Sequence, residues 1–373
     1  MKTGLVLEGG GAKGAFHCGA IKALYDNGYV FDGVAGTSIG AINAALVVQD
    51  KGYSSMIDMW THVMPSEFTD LDDIEVEKLF NKELNKDTVK YWAKQVIKVV
   101  RNLGIPTDKV LEFLSKHISE ERVRASDMDF GIVTYSLSDR EPLEIFIEDI
   151  PIGSLHNYLL ASAYYPAFRL EKLDGKFFID GGVYDNMPIA FLAQKGYGKI
   201  IAVRTMSKMP YIIPERTDLD IDYICPSEDL GGTMQVSAKM INRNIKLGYY
   251  DALRYLRGYA GKRYYIDGNI EEVEKAVFSA ATKLDKASVY KELKSLFPTE
   301  KEEESLIEFL EYYADLCGLD KFRIYKPTEF VQKIRMKAAD VEINDNKLYH
   351  IVMKERIKKD KLFISLMKVN KND

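Results

Sequence analysis

Three cysteines in 373 residues, Cys18, Cys225 and Cys317, are too few and too scattered for a disulfide framework or a zinc-binding spacing, and their number is odd. Long apolar runs are missing as well. The first, Leu5-Val6-Leu7, meets Glu8 too soon to be a signal-peptide core, and no other stretch approaches the ~20 apolar residues that cross a bilayer. A cytoplasmic location is the expectation. Positive charge is not in excess either: 51 Lys and Arg against 56 Asp and Glu leave a formal charge of -5, which argues against nucleic acid as the main partner without excluding a local basic patch. No internal repeat or low-complexity segment stands out. What is present is the composition of a globular protein, 46% hydrophobic and 29% charged, in a chain long enough for one large domain or two.

Residues 5–7 read as a buried strand that ends in the cluster Gly9-Gly10-Gly11, and a helix should follow it, with Phe16, Ala20, Ile21, Ala23 and Leu24 at helical spacing and Gly28 as its stop. A second strand over 30–35 leads to the turn Gly36-Thr37-Ser38-Ile39-Gly40, and residues 41–48 resume a helix. Strand, helix, strand, helix predicts a right-handed crossover and a mainly parallel sheet. Residues 64–127 look like a helical insertion, with helices over 89–100 and 109–117. Strands are expected over 130–135, 143–147, 200–204 and 223–225. Asp174-Gly175 predicts a hairpin with arms 170–173 and 177–179, a short helix should lie around 188–194, and 235–259 reads as a long helix. After about Gly261 the composition shifts to helices rich in Glu, Lys and Leu with no catalytic signature.

Three stretches carry candidate chemistry. A serine in G-x-S-x-G sits at the tip of a sharp strand-to-helix turn with its hydroxyl exposed, because the flanking glycines leave room for the backbone. Ser38 is thus a candidate nucleophile between Gly36 and Gly40, with an ordinary tight turn as the alternative. The loop Gly9-Gly10-Gly11-Ala12-Lys13-Gly14 satisfies G-x-G-x-x-G, yet the acidic residue that a dinucleotide site wants at the end of the second strand is replaced by the serine turn, and no Gly-Lys-Ser or Gly-Lys-Thr supports a Walker loop. An acyl-transfer reading uses the loop better, with the backbone N–H groups of Gly10, Gly11 and Ala12 as oxyanion donors at a helix start. Lys13 adds a positive charge there or is a solvated surface lysine.

A serine nucleophile needs a base. Of the five histidines, His17, His62, His117, His156 and His350, only His350 lies after Asp180, and His17 sits just beyond the glycine loop. Asp180 emerges from the apolar run Phe177-Phe178-Ile179 into Gly181-Gly182, a setting that can raise a carboxyl pKa; the alternative is a turn aspartate capping its own backbone.

Taken together and in this order, the glycine loop, the serine turn and Asp180-Gly181-Gly182 resemble the patatin-like phospholipase family. Ala161-Ser162-Ala163-Tyr164-Tyr165-Pro166-Ala167-Phe168 and Asp185-Asn186-Met187-Pro188 add to the resemblance, which covers roughly residues 5–261. It implies a Ser-Asp dyad with Ser38 as nucleophile and Asp180 as base, the glycine loop as oxyanion hole, a lipid acyl ester as substrate, and no cofactor, metal or calcium. Lys13 stands where many members have arginine, which keeps the charge but loses the bidentate fork.

The fold expected is therefore α/β, a mainly parallel sheet sandwiched by helices, with a catalytic domain over 1–261 and a C-terminal helical domain over 262–373. Acyl transfer to an acceptor other than water, or a lipid-binding or regulatory module with incidental esterase activity, are the alternative functions. The end of the chain, 354–373, interleaves basic residues with Ile357, Leu362, Phe363, Ile364, Leu366 and Met367, a composition suited to peripheral contact with an anionic lipid surface.

Overall fold

The computed structural model describes residues 2–81, 83, 85–279, 285–338, 362 and 366. Two compact units make up the chain, Met1–Ala252 and Leu253–Asp373. Both are built from short apolar strands or amphipathic helices that cannot bury their faces alone.

In the first unit β1 (Thr3–Leu7) is followed by a turn of 3-10 helix over Gly11–Gly14 and by helix α1 (Ala15–Asp26). Strand β2 (Gly33–Thr37) then runs parallel to β1 and leads into helix α2 (Ile39–Asp50). The second strand begins later than the hydrophobic pattern suggests, because Val30 is exposed and the Asp32 carboxylate accepts the N–H of Thr3 at 2.7 Å. Helix α3 (Ser54–His62) follows, and helices α4 (Pro65–Phe68), α5 (Asp73–Phe80), α6 (Lys86–Arg101), α7 (Asp108–His117) and α8 (Glu120–Ala125) form the insertion. The sheet resumes with β3 (Asp129–Ser136) and β4 (Glu141–Phe146), then continues after helix α9 (Leu155–Ser162) with β5 (Phe178–Asp180). Helix α10 (Ile189–Ala193), β6 (Lys199–Val203), β7 (Asp220–Ile224) and helix α11 (Ala238–Arg257) complete it.

Strand order is β4-β3-β2-β1-β6-β7, with β5 paired to β3. The pairs from β3 through β7 are parallel, while β4 and β5 run antiparallel to β3. Period two sends Val6, Ala35 and Ala202 to the face covered by Ile189 and Leu192 of α10, whereas the intervening Leu5, Leu7 and Val34 are fully buried on the other. Helices flank the sheet as the sequence predicts.

The hairpin predicted around Asp174-Gly175 is only half formed. Its turn is there: both residues have positive φ, 47° and 81°, and Leu173 and Lys176 exchange backbone hydrogen bonds of 2.9 and 3.0 Å. Residues 170–172 do not extend it as a strand. Longer-range partners take the neighbouring backbone instead, since Arg169 N–H donates to the Ile105 carbonyl at 2.8 Å and Glu171 N–H to the Tyr164 hydroxyl at 2.8 Å.

The second unit packs helices Ile270–Phe278, Lys286–Leu296, Glu302–Leu316 and Pro327–Ala338 around Tyr264, Phe309, Leu310, Phe330 and Ile334. Its buried Glu311 accepts the successive N–H groups of Lys262, Arg263 and Tyr264 at 2.7 to 2.9 Å. The C-terminal segment singled out for lipid contact, 354–373, lies outside the described residues except for Leu362 and Leu366. Those two are buried in this core, which removes them from any surface.

Candidate active site

Strand β3 acts as a ruler for the site. β4 pairs with it from Gly131 to Ser136 on one edge, so β2 and β5 must share the other. On that shared edge Thr37 is opposite Val133 and Asp180 is opposite Thr134, one residue further along. The residue after Thr37 therefore meets the end of β5. Ser38 Oγ donates a hydrogen bond of 2.6 Å to Asp180 Oδ2 across 142 positions of sequence.

The serine turn is tight for a steric reason. Ser38 has φ 57° and ψ -127°, a conformation that favours glycine, and its carbonyl accepts the N–H of Ala41 at 2.9 Å to start α2. A Cβ on Gly36 would lie 2.3 Å from the backbone of Gly40, and one on Gly40 would lie 2.1 Å from the Leu7 carbonyl oxygen. Strand, turn and helix can close this far only with both glycines.

Asp180 is held by two donors, the Ser38 hydroxyl on Oδ2 and the Gly182 N–H on Oδ1 at 2.8 Å. Burial pushes its carboxyl above the usual aspartate range, and the two hydrogen bonds pull the other way without cancelling the shift. Gly181 lies against β3, where a Cβ would meet the Val133 carbonyl oxygen at 2.2 Å.

Ser38 and Asp180 face a cavity of about 410 Å³, within the ~300–1,000 Å³ of ligand pockets. Its wall is predominantly apolar, with Met59 and Trp60 from α3, Phe68 from α4, and Val110, Phe113 and Leu114 from α7. Asp180 is the one charged side chain in that wall among the described residues. The insertion thus lines the pocket.

The glycine loop borders the same cavity through Gly10, Gly11 and Ala12. Among the described residues neither the Gly10 nor the Gly11 N–H has a protein acceptor. Ala12 differs from the sequence expectation, because its N–H donates to the Thr233 carbonyl at 2.7 Å and is already spent. Gly9 is pinned by its N–H to the Asn186 carbonyl at 3.0 Å, and Gly14 closes against Ile39 and Trp60. Lys13 neither lines the cavity nor makes an ion pair among the described residues.

No histidine among the described residues joins this arrangement. His17 is fully buried beside Asn43, and burial pushes its pKa down to about 3, so it is neutral, and it does not line the cavity. His156 bonds the Ile118 carbonyl, His117 stacks on Phe113, and His62 lies on the surface. His350 lies outside the described residues.

The sequence model described as Patatin-like phospholipase matches residues 5–193, half of the chain, which takes in Ser38, Asp180 and the glycine loop but not the cavity residues Ser207, Met209, Thr233, Met234 and Val236. The chain belongs to the patatin-like phospholipase family. It is 27% identical over 206 residues to Lysophospholipase NTE1 of Kluyveromyces lactis and 28% identical over 206 residues to Neuropathy target esterase sws of Drosophila melanogaster. Each match covers 54% of this chain but 12% of the relative. Among solved structures VipD from Legionella pneumophila aligns with TM-score 0.42 and 14% identity over 99% of this chain and 89% of that one.

Within this patatin-like site the structure shows contacts of Ser162, Asn186 and Glu8 that sequence spacing does not reveal. Buried Ser162, at the end of α9, accepts the Ser38 N–H at 2.9 Å and donates to the Val133 carbonyl at 2.6 Å, bridging the serine turn to β3. Asn186 reaches both glycine loops, and a Cβ on Gly9 or Gly182 would come within 2.6 Å of its Oδ1. Glu8, fully buried, accepts the N–H groups of Thr205 at 2.6 Å and Met206 at 3.0 Å where β1 gives way to the loop. Ser162 and Asn186 both stand in stretches that carry the family resemblance, but nothing in their spacing says that they face Ser38 and Gly9.

Ser162→Ala is expected to leave the Ser38 N–H and the Val133 carbonyl unpaired, which costs about 1–3 kcal/mol. Loss of alignment at Ser38 should lower kcat about tenfold or more while leaving KM for a soluble ester nearly unchanged. Thermal melts and steady-state kinetics check this together. A stability loss with kcat intact would make Ser162 a packing residue only.

Proposed function

We propose that the chain is a serine lipid acyl hydrolase that cleaves fatty acyl esters through a Ser38-Asp180 dyad and an acyl-enzyme. The observation that carries this reading is the 2.6 Å hydrogen bond from Ser38 to a partly buried Asp180, which has no cationic partner among the described residues, at the wall of an apolar cavity. Such a carboxylate can take the hydroxyl proton as Oγ attacks the ester carbonyl, and return it to the leaving alcohol oxygen. The same carboxylate then takes a proton from water as the water oxygen attacks the acyl carbon, and returns it to Ser38 Oγ as the bond between Oγ and the acyl carbon breaks, which releases the fatty acid and restores the serine hydroxyl. The Gly10 and Gly11 N–H groups, which border the cavity and have no protein acceptor among the described residues, stabilise the oxyanion of both tetrahedral intermediates in this reading. The unit Met1–Ala252 is the catalytic domain in this reading.

The apolar walls suit an acyl chain rather than a head group. A panel of phospholipids and lysophospholipids, incubated with the intact protein and followed by mass analysis of released fatty acid, tests the reading; no fatty acid from any member would overturn it. Added lysolipid or alcohol in the same assay distinguishes hydrolysis from acyl transfer by the product formed.

A change in the cavity wall should alter chain-length preference. Val110→Phe, which adds bulk to a buried wall residue, is expected to lower the ratio of kcat/KM for long-chain over short-chain esters about tenfold. An unchanged ratio in a folded variant would place the acyl chain elsewhere.

A further inference from the structure

Helix α6, within the insertion, leaves an apolar stripe uncovered. Val89, Val96, Ile97 and Val100 are 57 to 70% exposed, Ala93 is exposed between them, and Leu103 just past the helix is 83% exposed. Their spacing places them along one outer face of a 3.6-residue helix. The inner face is occupied: Thr88 is buried, and the Tyr91 hydroxyl accepts the N–H of Asp72 at 2.6 Å. Contiguous exposed apolar surface of this kind marks a contact site.

Charge along the helix is as uneven as hydropathy. Lys86, Lys90, Lys94 and Arg101 lie beside the stripe, all exposed, and none has an acidic partner among the described residues. Lys98, on the inner side, is by contrast tied to Asp70 at 2.8 Å. A chain of net charge -5 thus concentrates four unpaired cations next to its exposed valines. We infer that α6 is an interfacial helix that docks the protein on an anionic lipid surface, stripe inward and basic row at the headgroups.

The physical fit is specific. An amphipathic helix in the membrane plane buries its apolar face near the acyl boundary while lysine stems reach up to the headgroups. A second copy of the chain seated on this stripe would bring two rows of like charge into one interface, and nucleic acid would leave the valines unburied. The helix is also tied to the catalytic cavity, since Ile105, shortly after it, donates its N–H to the Ala167 carbonyl at 2.9 Å between the cavity residues Pro166 and Phe168. This inference goes beyond the hydrolase reading and does not require it.

Full-length Ser38→Ala protein is sedimented with phosphatidylcholine vesicles, with and without phosphatidylserine, so that binding is read without turnover. Failure here leaves the catalytic reading standing, and failure of that reading leaves this one standing. Binding should be at least about tenfold tighter with phosphatidylserine and should weaken as salt is raised. Lys86→Glu/Lys90→Glu/Lys94→Glu/Arg101→Glu should weaken it about a hundredfold or more, and Val96→Ser/Ile97→Ser/Val100→Ser should also weaken it about tenfold or more. These side chains are exposed, so circular dichroism melts should match the parent. Equal binding to the two vesicle types, or salt-insensitive binding, would overturn the inference whatever the variants do. Parent-like binding by either folded variant, or a stripe-dependent dimer with no vesicle binding, would overturn it too.

Discussion

Ser38→Ala is expected to lower turnover of any ester substrate by at least about a thousandfold and to abolish labelling by a fluorophosphonate probe. The hydroxyl is the only group that the turn presents to both Asp180 and the cavity, so no neighbour can substitute for it. Folding should survive. The backbone at Ser38 is strained, with φ 57° and ψ -127°, and glycine relieves a strain that alanine retains. Ser38→Gly should therefore be as inactive as the alanine variant yet more stable than it by about 1 kcal/mol. Probe labelling, turnover and thermal melts on the three proteins check all of this. Residual labelling at native rate in a folded Ser38→Ala protein would move the nucleophile elsewhere.

The serine turn was legible because its constraint is local: a glycine on each side, a strand before and a helix after. The parallel sheet was legible for the same reason, since alternating short apolar runs and helical spacing each leave a mark within a dozen residues. The contact between Ser38 and Asp180 depends on register. It arises because β2 and β5 share one edge of β3, a fact that no window of sequence contains. Ser162, Asn186 and Glu8 went unread as site-shaping groups because each acts on a segment more than a hundred residues away. Ala12 departs from expectation for a kindred reason. Its N–H looks free until Thr233, from far along the chain, supplies a carbonyl. The lost hairpin arm repeats the pattern, with Ile105 and Tyr164 taking backbone that local pairing had seemed to claim.

Asp180→Asn should lower kcat about 10²- to 10⁴-fold while leaving the fold intact, because the amide fills the same space but cannot take a proton. Its Oδ1 can still accept the Gly182 N–H, which turns the amide nitrogen toward Ser38 Oγ as a donor. The stability change follows from the direction of the pKa shift. Burial raises the folded-state pKa of Asp180 above 3.8, so the contribution of this carboxyl is fully present below that value and is lost as pH rises through the folded pKa. At neutral pH the native protein therefore holds a destabilised carboxylate, and the neutral amide should melt at the same temperature or higher. In acidic buffer that advantage should shrink, since the native carboxyl is then protonated in both states. The acid limb of native activity should likewise lie above the ordinary aspartate pKa, because only the ionised form can act as base. Kinetics against pH, with melts of both proteins in acidic and neutral buffer, measure the two effects independently. A folded Asp180→Asn enzyme with near-native kcat, or a folded His17→Gln enzyme with none, would return the base role to a histidine.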